Sequence, residues 1–189
     1  MKSLKIFLCH SSKDKAEVKS LYDLLAKQGA DPWLDSENLL PGQDWNFEIN
    51  KALDASDVIL LCLSRESVSK EGYVQREIRI ALDRALEMPE GRIFLIPVRL
   101  EECDLPYKIR TYQWVDLFME DGMSKLLKSL NLRASQVNAA TLSLDGSLRV
   151  VKKPDSENIA KPEKNTTIHI HGNVTGSNII IGNDNDVNN

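Results

Sequence analysis

Glu77 is a carboxylate at the edge of an apolar helical stripe, the first group in this sequence placed to do chemistry. It lies in the run Gly72-Tyr73-Val74-Gln75-Arg76-Glu77-Ile78-Arg79-Ile80-Ala81-Leu82-Asp83-Arg84-Ala85-Leu86. Val74, Ile78, Ala81, Leu82 and Ala85 recur at helical spacing and predict a helix over 72–86 with one buried face. Glu77 stands three residues after Val74 and four before Ala81, so its carboxylate is half sheltered and can face a crevice. No basic residue lies three or four positions away, so no intrahelical ion pair accounts for it. A rim glutamate is ordinarily a solvated charge, and only the surrounding chain can assign it more. The second polar group is the loop His10-Ser11-Ser12-Lys13-Asp14. Ser11 or Ser12 is the expected cap of a following helix. Amides at that helix start, with Lys13 as a cation, suit an anion. His10 could contact a ligand, although the sequence offers it no evident acidic partner.

These groups need elements to hold them. Leu4–Cys9 is an apolar run predicted to be a buried strand, followed by a helix with Val18, Leu21, Leu24 and Leu25 inward and Gly29 at its end. Pro32–Leu34 is a second short strand. Asp35–Gln43 reads as a long loop with Leu39 and Leu40 at its tip, and Asp44 can cap a helix carrying Phe47, Ile49 and Leu53. Val58–Leu63 is apolar at every position, as a central parallel strand must be. Ile93–Val98 and Tyr112–Leu117 are the fourth and fifth strands, with Pro97 marking the end of one or an irregularity in its pairing. Met123–Leu130 is a closing helix. Strands alternating with helices predict an α/β fold: a flavodoxin-like five-stranded parallel sheet with helices on both faces. In that order, ligands bind beyond the carboxyl ends of strands one and three. Those ends lead into His10–Asp14 and Ser64–Lys70, and Glu77 comes just after the second.

At this point the motifs resemble those of Toll/interleukin receptor (TIR) domains. Phe7-Leu8-Cys9-His10-Ser11-Ser12-Lys13-Asp14 looks like the first TIR motif. Trp33-Leu34-Asp35 with Pro41-Gly42 and Trp45 looks like the second strand, the BB loop and the helix after it. Ser69 with Tyr73-Val74-Gln75-Arg76-Glu77 resembles the Ser-x-x-Trp-Val-x-x-Glu signature of prokaryotic TIR domains, with Tyr73 in place of Trp and one extra residue after Ser69. The match covers residues 1–133. The resemblance implies a catalytic Glu77 in an enzyme that cleaves the nicotinamide–ribose bond of NAD+, which is a substrate and not a cofactor. It implies substrate contacts from His10, Ser11, Ser12, Lys13, Trp33, Ser69 and Tyr73, although Trp33 and Trp45 read first as packing residues. It also implies self-association through Leu39, Leu40, Pro41 and Gly42. A TIR adaptor that assembles and signals without catalysis is the competing expectation.

The tail changes character. Residues 134–165 read as a linker with a small hairpin over 141–151 about Asp145-Gly146. Residues 166–189 hold two β-branched runs, each ending in Gly-Asn, with little charge and no proline. Ile168, Ile170, Ile179 and Ile181 would stack in register with copies of themselves. Ile179-Ile180-Ile181-Gly182 resembles the core of bacterial amyloid signalling motifs related to RHIM sequences, which implies an upstream sensor with a matching motif. His169 and His171 read as strand-face residues, and no metal site is expected.

A net charge of −4 argues against a nucleic-acid partner working through a general basic field. Cys9, Cys62 and Cys103 lack disulfide or metal spacing, and no apolar stretch is long enough for a bilayer, so no membrane partner is expected. A cytoplasmic protein is the expectation.

Overall fold

The structure, a computed structural model, describes residues 1–69, 83–84 and 92–143. All belong to one compact unit, Met1–Lys153. Glu77 and Tyr73, the hairpin from 144 onward, the linker and the β-prone tail lie outside the described residues.

Five parallel strands form the sheet, in the order β2-β1-β3-β4-β5. They are β1 (Lys5–Cys9), β2 (Asp31–Trp33), β3 (Val58–Leu63), β4 (Leu95–Arg99) and β5 (Val115–Asp116). The expected flavodoxin-like order is thus present. Alternation of side chains sorts the strands' apolar residues into two cores. Ile6, Leu8, Leu60, Cys62, Ile96 and Val98 join Val18, Leu21 and Leu25 of α1 (Lys15–Lys27) and Leu126, Leu127 and Leu130 of α5 (Gly122–Gln136). Phe7, Cys9, Ile59, Leu61, Leu63 and Leu95 join Leu53 of α3 (Trp45–Ala55), Leu105 and Ile109. Every residue of β3 is buried because both faces of the central strand are covered.

α1 ends as expected. Gly29 has φ +91°, Gly29 N–H bonds Ala26 O at 3.0 Å, and Ala30 N–H bonds Leu25 O at 3.1 Å. That is a Schellman cap, which needs the left-handed conformation glycine adopts without a Cβ clash. Its start differs from expectation. The N-cap is Asp14, and neither Ser11 nor Ser12 serves. Asp44 does cap α3, accepting from Phe47 N–H at 2.8 Å.

Three further elements depart from the sequence reading. The Asp35–Gln43 loop opens with a one-turn helix, α2 (Asp35–Asn38), held by Asn38 Oδ1 accepting from Leu34 N–H at 2.9 Å. α4 (Arg65–Ser69) follows β3 directly. The fifth strand pairs only through Val98↔Val115 and Arg99↔Asp116, a third of its expected length. Packing also continues past residue 133: the Arg133 guanidinium donates to Asp57 O at 2.7 Å, and Asn131 brackets a buried Leu142 through two hydrogen bonds. Among the described residues no helix is long and apolar enough to cross a membrane, and no acid, Cys and His cluster could hold a metal ion. Cys9, Cys62 and Cys103 are buried thiols outside any disulfide. Burial pushes the Cys62 thiol far up and the Cys103 thiol to about 11, so neither is a reactive thiolate at neutral pH.

Candidate active-site loops, an exposed turn and an edge cleft

β1 and β3 are neighbours, so the loops leaving their carboxyl ends lie side by side. A buried polar knot joins them. Ser64 Oγ donates to Asp14 Oδ2 at 2.9 Å and accepts from Ser67 N–H at 3.1 Å. Ser64 N–H donates to Ser67 Oγ at 2.7 Å, and that hydroxyl donates back to Ser64 O at 2.9 Å. Asp14 is 3% exposed, Ser64 4% and Ser67 2%. A carboxylate so deeply placed persists only when hydrogen-bonded, which this knot supplies. Its effect is to fix the two loops relative to each other. Asp14 N–H also closes a turn onto Ser11 O at 2.9 Å. The turn leaves Ser12 and Lys13 exposed at the start of α1 and buries Ser11.

Of the expected substrate residues, the structure therefore groups His10, Ser11, Ser12 and Lys13 on one loop. The His10 side chain is buried, 5% exposed, and faces Asp35 Oδ1 at 3.8 Å from Nε2. The carboxylate absent from its sequence neighbourhood comes from α2. Burial above all holds the His10 pKa below its ordinary value, against the pull of Asp35 and a hydrogen bond with the Leu8 backbone. Trp33 stacks on Phe7, with centroids 4.9 Å apart and planes 11° apart, and packs into the α3-side core. One face of its indole is thus engaged in packing. Ser69 ends α4. Glu77 and Tyr73 lie outside the described residues, although Asp83 and Arg84 are helical, as the helix predicted over 72–86 requires. Arg84 Nη2 meets Asp54 Oδ1 of α3 at 2.8 Å. The sequence reading passed over Asp14, Ser64 and Ser67 as functional positions. Their signal was polar residues in the loops that leave the carboxyl ends of β1 and β3, with Ser64 directly after β3.

Leu40-Pro41-Gly42-Gln43 forms a type II turn. Gln43 N–H bonds Leu40 O at 3.2 Å, Gly42 has φ +91°, and Leu40 N–H bonds Gln43 Oε1 at 2.8 Å. The turn presents Leu40, 66% exposed, while Leu39 is half-buried; Phe47, in the first turn of α3, is 64% exposed. A cleft of about 860 Å³ lies at the other edge of the sheet. Because β5 is so short, the amino-terminal half of β4 has no strand beside it there among the described residues. Ile93, Leu95, Tyr112, Trp114 and Met119 line the cleft, and exposed Arg92, Lys125 and Lys128 stand around it. Arg99 braces its carboxyl end, with Nη2 2.8 Å from Asp116 Oδ2 and the guanidinium 5.7 Å from the Trp114 ring centre.

The sheet order places the loops after β1 and β3 at the switch point, where doubly wound sheets bind ligands. The TIR-domain family model matches residues 6–127, and the chain belongs to that family. It is 35% identical over 120 residues to the uncharacterized protein y4cD of Sinorhizobium fredii (strain NBRC 101917 / NGR234), a match covering 62% of this chain and 19% of that protein. The chain thus spans about a fifth of that relative's length. It is also similar to the crystal structure of the TIR domain of the Toll-related receptor TRR-2 from Hydra magnipapillata. The TM-score is 0.54 at 16% identity, covering 66% of this chain and 96% of that one. At that identity the likeness is one of fold.

Proposed function

We propose that this TIR domain cleaves the nicotinamide–ribose bond of NAD+ when copies of the chain assemble, as an effector of cell-death or immune signalling. The crevice where the Asp14–Ser64 hydrogen bond ties the loops after β1 and β3 together carries this reading. It is the place where a doubly wound sheet takes a nucleotide, and Glu77 follows the second loop in sequence. Ser12, Lys13 and the first amides of α1 suit the pyrophosphate. The nicotinamide ring of NAD+ is already cationic, so its nitrogen takes the electron pair of the breaking C1′–N bond and leaves neutral without a general acid. The ribose becomes oxocarbenium-like, and one positioned anion, Glu77, stabilises it. Addition of water at C1′ with loss of a proton gives ADP-ribose.

Association is the second half of the proposal. The exposed Leu40 lies in the turn that follows β2, one edge strand of the sheet, and the cleft lies beside β5, the other edge strand. A knob and a cleft at opposite edges build a head-to-tail, non-closing array instead of a two-fold dimer. Asp44 is exposed directly after the turn, and Arg92 and Lys128 stand at the cleft, whereas Lys125 pairs with Asp121 at 2.7 Å and Glu48 with Lys51 at 3.4 Å. The complementary charges are therefore Asp44 on one side and Arg92 and Lys128 on the other. The tail, through Ile168, Ile170, Ile179 and Ile181, would raise the local concentration of domains without new contacts between them.

The test is nicotinamide release by the purified chain across a protein dilution series. Specific activity is expected to rise with concentration, and deletion of 166–189 to lower it most at high dilution. No cleavage at any concentration would leave the adaptor reading in its place. Leu40→Asp should weaken association, measured by sedimentation, at least about tenfold. It should change melting by little, because a surface substitution outside any cap or core stays within about 0.5 kcal/mol.

A further inference from the structure

The loop after β1 and the segment after β2 meet at a buried imidazole with an unsatisfied nitrogen. Among the described residues His10 Nε2 has no hydrogen-bond partner, and Asp35 Oδ1 stands 3.8 Å away, beyond hydrogen-bond reach. Buried polar atoms without partners are rare, so such a gap needs a reason. Asp35 is also the hub of α2. Its Oδ1 accepts from Ser36 N–H at 2.7 Å, and its carbonyl accepts from Leu39 N–H at 3.1 Å. Leu40, the first residue of the exposed turn, comes next.

We propose that His10 and Asp35 form a proton-operated latch between the crevice loop and the α2–Leu40 segment. A neutral imidazole leaves the latch open. A proton makes Nε2 a charged donor, which closes on Asp35 Oδ1 and holds α2, with the Leu40 turn behind it, against the loop after β1. The ends of the latch are the expected substrate loop and the proposed association turn, so its regulatory consequence rests on the function proposed above. The latch itself does not.

Among the described residues the charged groups facing His10 are Asp35 of α2, which favours the proton, and Lys15 of α1, which opposes it. Burial, the largest influence, keeps the folded-state pKa below the ordinary 6.5. Above 6.5 the imidazole is neutral whether the chain is folded or not. As pH falls below 6.5 the unfolded chain takes the proton first, so global stability declines down to the lowered folded value. Closure of the latch begins only there, in the acid range, and its effect is local order in α2.

The experiment follows the imidazole and backbone amides of the full chain by NMR through an acid titration. His10 is identified by the signal missing from His10→Asn, which separates it from His169 and His171. In the wild type, exchange protection of the Asn38 and Leu39 amides, corrected for intrinsic exchange, should rise about tenfold as His10 protonates. Asp35→Asn keeps the shape and removes the charge. It should move the His10 titration further down and leave the protection flat. The same flat profile is expected of His10→Asn, which checks the result should Asp35→Asn disturb the fold. An unchanged His10 titration in Asp35→Asn overturns the latch, as does wild-type protection that ignores His10 protonation. Neither readout involves NAD+, so a chain that failed to cleave NAD+ could still have the latch, and the reverse.

Discussion

Glu77→Gln is expected to lower nicotinamide release by at least about a hundredfold, the order of loss when one preorganised electrostatic partner of a transition state is removed. The substitution keeps size and hydrogen-bonding reach and deletes only the negative charge. The ground state of NAD+ already holds a cation on the nicotinamide ring. In the transition state that charge migrates to the ribose, so an anion fixed beside the ribose stabilises the transition state more than the substrate. The loss should therefore fall on kcat with little change in KM. A solvated rim glutamate would show neither effect. Melting temperature and sedimentation of the variant should match wild type, which separates lost chemistry from lost assembly. Retention of most activity would remove Glu77 from the catalytic role.

The distance between sequence and structure depends on how local each signal is. Val58–Leu63 was legible because a strand covered on both faces has no polar position to confuse the reading, and it pairs β1 and β4 as expected. Gly29 was legible for the same reason, since a left-handed cap is decided within six residues. The fifth strand was not. Tyr112–Leu117 has strand composition throughout, but only Val115 and Asp116 pair with β4. Asp116 is held by Arg99, 17 residues earlier, and Trp114 lies against the same guanidinium. That bidentate pair, with its cation–π contact, is a tertiary arrangement without any periodic trace. The cleft is the direct consequence of the missing pairing.

The candidate crevice divides in the same way. The loop from His10 to Lys13 was legible as a polar run after a buried strand. The Asp14–Ser64 hydrogen bond, spanning 50 residues, was not. It also explains why the expected serine cap fails. Asp14 takes the N-cap position, yet its side chain makes no cap hydrogen bond and instead accepts from Ser64, just after β3. Asp35 near His10 is a third case, because a one-turn helix of Asp, Ser, Glu and Asn has no apolar stripe to announce it. Polar networks that cross between strands are therefore where a sequence reading loses the site.

Gly122→Ala is expected to destabilise the domain by about 3 kcal/mol, at the upper end of overpacking costs. A Cβ on Gly122 would lie 2.0 Å from Asp116 O and 2.9 Å from Asp116 C, both backbone atoms. No rotamer change can relieve a clash between a Cβ and main chain, so either α5 or β5 must move. Neither is free to do so. Asp116 pairs with Arg99 in the sheet, its carbonyl accepts from Met119 N–H at 3.1 Å, and Leu126, Leu127 and Leu130 of α5 are fully buried. A loss of this size corresponds to a melting-temperature drop of about 10 °C for a domain near 150 residues. Gly29→Ala is the informative comparison. Nothing lies within 4 Å of its added Cβ, but φ is +91°, so its cost is strain alone, about 1 kcal/mol. The first turn of α5 also lines the cleft through Asp121, Gly122 and Lys125. Gly122→Ala should then weaken association even at temperatures where the domain stays folded, whereas Gly29→Ala should not. Thermal melts and sedimentation of both variants measure this. Equal melting temperatures for the two would show that α5 can shift away from Asp116 without cost.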